Sequence, residues 1–221
     1  MGATAVMSES VLLHGYRYSV YNRIARVALH EKDVEYDTEE VDPFADDIPE
    51  DYLKRHPFGR VPVLSHGAFD VYETSAIVQY VDAAFDGPSL VPISAKPLAR
   101  AAQVISILDS YGYRSMVRQV FAHRVFRPAI GEAGDETEIT SGMETSMTVL
   151  RALNKIAEEG YVLNEERTTI ADCHLAPMIA YFVQAPEGQD ALGSYPALAR
   201  WWSRVEPRES LRTTNPGLPN A

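Results

Sequence analysis

The stretch 56–81, HPFGRVPVLSHGAFDVYETSAIVQYV, constrains the fold of this chain more than any other. Two short strand-like runs, PVLSH and AFDVY, flank Gly67, a residue suited to a tight turn. An apolar-periodic segment follows at once, with Ile77, Val78 and Val81 at helical spacing. The pattern predicts a β-hairpin that feeds directly into a helix. Pro62 stands at the first residue of the first strand, between two valines, where it gives up a ladder hydrogen bond. X–Pro is also the only peptide bond that turns cis at small cost. Glu73-Thr74 lies at the mouth of the helix, where the first backbone N–H groups have no partner within the helix. Such a start suits a bound carboxylate.

Upstream, Val11-Leu12-Leu13 reads as a buried strand ended by Gly15. A helical pattern follows, with Val20, Ile24, Val27 and Ala28 on one face and Ser19 placed as its N-cap. Residues 34–41 alternate as a second strand, and an acidic loop (42–49) and a short helix (50–55) lead into the hairpin. The order βαβαββα is the thioredoxin-like layout, a small mixed sheet with helices on both faces. Asp86-Gly87-Pro88 breaks the pattern and 89–97 reads as a linker. Beyond it the chain reads as helices: a long one over 98–127, bent near Gly112, then 138–159, 169–183 and 195–205, with an extended tail after Arg212. The expected organisation is an α/β domain over 9–86 and an all-α domain over 96–212.

Composition narrows the function. An apolar fraction of 46% in 221 residues is ample for a buried core. The net charge of −11 disfavours nucleic acid and anionic membrane as partners, but not a small anion, which feels only the local field of its pocket. A single cysteine, Cys173, rules out an intramolecular disulfide and fits a reducing cytosol. The N-terminal MGATAVMSES lacks the basic region and apolar core of a signal peptide, and Val6 stands where a myristoylation signal needs Ser or Thr. No apolar run reaches membrane-spanning length. The six histidines show no metal-ligand spacing, and neither a Walker loop nor a dinucleotide fingerprint is present.

Over nearly its whole length the chain resembles the glutathione S-transferase family, in particular its serine-type members. In that family a Val-Pro pair with a cis proline presents the valine backbone to the cysteinyl part of glutathione, and an acidic residue followed by Ser or Thr holds the γ-glutamyl end. The resemblance places those roles on Val61, Pro62, Glu73 and Thr74, with the family's spacing across the hairpin. Ser19 matches the serine after the first strand that donates a hydrogen bond to the glutathione sulfur. A free thiol has a pKa of about 8.5, and a hydroxyl donor at the positive end of a helix favours the nucleophilic thiolate. A serine in this position is also an ordinary helix cap. Tyr16 is the alternative, since other branches use a tyrosine near the end of the first strand. The thiol-exchanging branches need a cysteine there, which this chain lacks.

Arg60 occupies the place from which a Gln or Lys meets the glycine end of glutathione in several branches. Relatives often supply a Lys or His from the loop after the second strand; here that loop is acidic, so either Lys54 or His56 would substitute or the glycyl end would be held weakly. Tyr111, Tyr113 and Met116 lie on the helix that helps form the electrophile pocket in the family, and such residues at helical spacing are equally the mark of a core. Arg114, Arg118 and Arg124 on the same helix would meet an acidic co-substrate or a dimer partner. Thr169-Ile170-Ala171-Asp172 is a capping box with a folding role, and Trp201-Trp202 reads as core packing of the last helix. The resemblance implies a cytoplasmic homodimer that activates glutathione, as co-substrate, against a small electrophile in detoxification. Its rivals are another glutathione-dependent activity on the same site (lyase, dehalogenase or isomerase), a non-catalytic ligand-binding protein, and an interaction domain.

Overall fold

A computed structural model of the protein describes residues 9–164 and 166–219. The segment read for a leader or a myristoylation signal falls chiefly on residues 1–8, outside the described residues. Four strands, β1 (Val11–Gly15), β2 (Asp37–Glu40), β3 (Val63–His66) and β4 (Phe69–Tyr72), form one sheet in the order β2-β1-β3-β4. β1 runs parallel to β2 and antiparallel to β3, and β4 closes the hairpin with β3. Because successive side chains point to opposite faces, Leu64 joins Leu13, Ile24 and Ile77 in the main core, while its neighbour Val63 joins Val41 and Tyr52 in a small second one. Helices α1 (Val20–Glu31) and α3 (Thr74–Ala84) supply the first core and α2 (Glu50–Arg55) the second. This is the expected thioredoxin-like layout.

Two strand limits differ from expectation. Only Asp37–Glu40 of the 34–41 run pairs, as an edge strand with every side chain exposed, while Val34 and Tyr36 turn back onto the core. β3 begins at Val63, so Pro62 precedes the ladder and costs it no hydrogen bond.

Polar contacts fix α2 to the sheet. His14 of β1 meets Ser65 of β3 at 3.0 Å and the Glu39 carboxylate at 2.8 Å. Ser65 also bonds Asp70, and Arg55 of α2 holds both Asp70 oxygens at 2.7 and 2.8 Å. The end of α2 carries His56 into the loop that leads to the hairpin, so these bonds help set where His56 stands.

The remainder is helical. α4 (Ala95–Ile107) continues into a π-wound segment (Leu108–Phe126) and a final short turn, α5 (Arg127–Ala129). The expected single helix is therefore continuous but changes its winding at Leu108, and Gly112 lies within the π-wound stretch. Ser115 contributes to this, since its hydroxyl donates to the carbonyls of Tyr111 (2.9 Å) and Gly112 (3.3 Å). Then come α6 (Glu136–Glu158), capped by the Asp135 carboxylate, α7 (Ile170–Phe182), α8 (Pro186–Gly193), α9 (Pro196–Val205) and α10 (Glu209–Thr213). α8 was not foreseen. α10 places a helical turn at the start of the tail, where Arg208 and Ser210 both bond Glu31 of α1.

Gly15 makes room for the loop that follows β1. A Cβ there would sit 2.2 Å from Asn22 Oδ1, and the Asn22 amide donates to the Tyr16 carbonyl at 3.2 Å. Gly15→Ala is expected to expel Asn22 and cost about 1–3 kcal/mol, read as a lowered denaturation midpoint.

Candidate active site

The hairpin, the start of α3, the first turn of α1 and the π-wound segment meet around a cleft of about 230 Å³. Of the residues singled out from sequence, Arg60, Val61, Pro62, Glu73, Thr74 and Tyr113 line it together. The Val61–Pro62 bond is cis. Glu73 is held at φ 68°, the left-handed region that a non-glycine residue enters only at a cost of about 1–3 kcal/mol. That conformation puts Glu73 at the N-cap of α3, with its exposed carboxylate in no ion pair among the described residues. Beside it, the first-turn N–H groups of α3 carry the positive end of the helix dipole.

Sequence reading missed part of this cleft. Tyr21, Ser75 and Asp109 also line it. Tyr21 donates to Asp109 Oδ1 at 3.1 Å and packs on Tyr113 with ring centroids 4.8 Å apart. Burial, then the Asp109 charge, push the Tyr21 phenol pKa far up, so it stays a hydrogen-bond donor. Burial also raises the Asp109 carboxyl, against the pull of the Tyr21 hydrogen bond. The signal was present: Asp109 lies four residues before Tyr113, within one turn. Of the two residues weighed for the place left by the acidic loop, His56 is the one at the cleft. It lines the cleft, is only 2% exposed and has no partner for Nδ1, and burial lowers its pKa, which keeps the ring neutral. Lys54 does not line the cleft; its ammonium pairs with Asp51 at 2.7 Å on the surface.

Ser19 is the N-cap of α1. Its Oγ accepts from the Asn22 N–H at 3.3 Å, and its own proton has no acceptor among the described residues. Cap and donor are therefore compatible roles for one hydroxyl. Ser19 does not line the cleft itself; Tyr21, two residues on, does. The Tyr16 ring stands edge-on to Tyr18 and Phe44, and burial, then Asp42, raise its pKa. Phe44 also lies under the Arg118 guanidinium, which bridges the acidic loop to the helical part.

Two expected pocket residues stand elsewhere. Met116 is fully buried in the main core, because the changed winding turns it away from the cleft, and Tyr111 is 61% exposed outside it. Arg124 is held by Glu136 and Glu187, both at 2.7 Å, so it is a structural tie rather than a contact for a co-substrate.

Known proteins agree with this architecture. The family model described as the glutathione S-transferase N-terminal domain matches residues 13–89, and the C-terminal domain model matches 115–209. Glutathione S-transferase F7 of Arabidopsis thaliana is 25% identical over 91% of this chain and 97% of its own. A stringent starvation protein A homolog from Pasteurella multocida is 24% identical over 96% of this chain and 92% of its own. Among solved structures, apo glutathione S-transferase III superposes with a TM-score of 0.83 at 22% identity, covering 96% of this chain and 98% of that one. A theta-class enzyme from Xanthomonas axonopodis pv. citri with glutathione bound gives 0.76 at 23%, covering 93% and 97%. These structural likenesses speak for the fold, while the two family models follow one another in the family's order and together match most of the sequence. The chain belongs to the glutathione S-transferase family.

Proposed function

We propose that the cleft binds glutathione through Val61, Glu73 and Thr74 and that Ser19 stabilises its thiolate for attack on a small electrophile. As a member of its family the chain is a glutathione transferase, with glutathione as co-substrate. The observation that carries the assignment of residues is Glu73, held in a strained left-handed conformation at the free N-terminus of α3 beside a cis Val61–Pro62 bond. In this reading the γ-glutamyl carboxylate takes the N–H groups of Thr74 and Ser75, and its ammonium takes the Glu73 carboxylate. The valine backbone pairs with the cysteinyl unit. The glycyl carboxylate takes Arg60, which is exposed and in no ion pair among the described residues, with neutral His56 beneath it. The thiol proton leaves to solvent, and the Ser19 O–H and the dipole of α1 favour the anion that remains. The sulfur lone pair then forms the bond to the electrophile as its leaving group departs or its polarised bond takes up the electrons. Tyr113 borders the electrophile's side. A homodimer in the cytoplasm, acting in detoxification, completes the reading; Phe58, 69% exposed beside the cleft entrance, suits a subunit contact.

Glu73→Ala is expected to weaken glutathione binding by about 1–3 kcal/mol in a calorimetric titration, the range for a hydrogen bond to a charged group. Unchanged affinity would remove Glu73 from the site. A second reading, ligand binding without catalysis, draws on the acidic loop and the Asp51-bound Lys54. It predicts glutathione binding with no conjugate formed from any electrophile.

A further inference from the structure

The peptide unit that leads into Ser19 is held at both of its polar ends. Its N–H, that of Ser19, donates to the Tyr16 carbonyl at 2.9 Å, within the loop. Its carbonyl, that of Tyr18, accepts from the Tyr181 hydroxyl of α7 at 3.3 Å, across 163 positions of chain. No backbone N–H among the described residues donates to that carbonyl, so Tyr181 fixes this end. The Tyr18 side chain is gripped from the same direction. Its ring stands edge-on to Phe126, Phe126 adjoins Phe121, and the Tyr181 ring stacks on Phe121 with centroids 4.5 Å apart.

Tyr181 has little freedom of its own. It is buried, and Arg23 of α1 places its guanidinium 5.3 Å from the centre of the ring. Arg23 is 3% exposed, is in no ion pair among the described residues, and donates to the Leu211 carbonyl of α10 at 2.9 Å. A buried cation without a carboxylate is costly, and the Tyr181 ring and the Leu211 carbonyl are its compensation. Burial pushes the Tyr181 phenol up to about 12, against the pull of Arg23, so the hydroxyl is a donor at neutral pH. None of Tyr181, Arg23 and Phe121 lines the glutathione cleft.

We propose that Tyr181 is a positioning residue for the reaction: by holding the Tyr18 carbonyl it sets the backbone from which Ser19 aims its hydroxyl at the glutathione sulfur. Rotation of the Tyr18–Ser19 peptide plane would swing Oγ, and hydrogen bonds weaken steeply with misalignment. The role rests on Ser19 being the donor to the sulfur.

The test compares Tyr181→Phe, Ser19→Ala, the double variant and a control, Tyr195→Phe. The control removes a tyrosine hydroxyl from another backbone carbonyl, that of Met147 in α6, at 2.9 Å. Each phenylalanine keeps the ring, and circular dichroism verifies the fold. Tyr181→Phe is expected to raise the pKa of bound glutathione by about 0.5 to 1 and to lower kcat about 3- to 10-fold where pH lies below that pKa. KM for glutathione should stay within about twofold, because the residue is outside the cleft. The change should add nothing to Ser19→Ala in the double variant. In the labelled chain without glutathione, the Ser19 amide signal should move in Tyr181→Phe and stay in place in Tyr195→Phe, which lowers Tm but leaves the bound thiol and kcat as in the parent. Tyr181→Phe with a lowered Tm and a parental thiol pKa would overturn the proposal, as would equal effects of the two tyrosine variants or additive effects in the double variant. A thiol pKa unmoved by Ser19→Ala would remove the Ser19 role and this one with it, whereas a pKa raised by Ser19→Ala and flat in Tyr181→Phe would sink the positioning role alone.

Discussion

Ser19→Ala is expected to lower kcat/KM for conjugation of glutathione to an activated aryl halide by about 100-fold, near 2.7 kcal/mol of transition-state stabilisation. The hydroxyl that caps α1 has a proton with no acceptor among the described residues, so its removal takes a donor from the developing charge on sulfur. The same change also removes a helix cap, worth about 1 kcal/mol of stability. A second variant separates the two effects. Ser19→Asp keeps the cap, since a carboxylate accepts the Asn22 N–H as well as a hydroxyl does, but it opposes a thiolate. It should fold as stably as the parent and be at least as inactive as the alanine variant. An aspartate variant with parental activity would leave Ser19 a cap and nothing more.

Asp172→Ala should be the most destabilising single change away from the cleft, by about 3–5 kcal/mol. The Asp172 carboxylate is buried and takes four donors. These are the Thr169 N–H (2.8 Å), the Thr169 hydroxyl (2.7 Å), the Trp201 indole N–H (2.7 Å) and the Arg204 guanidinium (3.3 Å). Burial pushes the carboxyl pKa up, and the donors pull it back toward the ionised form. Alanine leaves the start of α7 and the indole N–H of α9 without partners at once. In thermal unfolding the loss corresponds to a fall in Tm on the order of 10 °C for a chain of this size. A loss below about 1 kcal/mol would mean that the capping box and the Trp201 contact are dispensable.

The legible parts of this protein are those whose cause is local. The hairpin, the Glu73-Thr74 start of α3, the Ser19 cap and the Thr169–Asp172 box each depend on residues within a few positions of one another, and the structure holds each feature where the pattern puts it. What the sequence hid is tertiary. Tyr21 and Asp109 are 88 positions apart and meet only because the π-wound segment crosses the first turn of α1. Met116 reads as a pocket residue on a uniform helix, but altered winding beyond Leu108 shifts which side chains face the cleft. α8 contains Gly188, which lowers helix propensity, yet a side chain there would strike the Phe182 carbonyl, so tertiary packing decides for glycine. The surroundings of the acidic loop are tertiary as well. Phe44 packs on Tyr16, Lys54 pairs with Asp51, and His56 lines the cleft from the end of α2.

The most direct test of the account is the pKa of glutathione bound to the protein, read from thiolate absorbance across pH in the parent chain, Ser19→Ala and Tyr16→Phe. The account predicts a bound thiol titrating well below the free value of about 8.5 in the parent and in Tyr16→Phe, and returning toward that value in Ser19→Ala. A thiol whose pKa is unmoved by Ser19→Ala but raised by Tyr16→Phe would contradict it and give the role to the tyrosine.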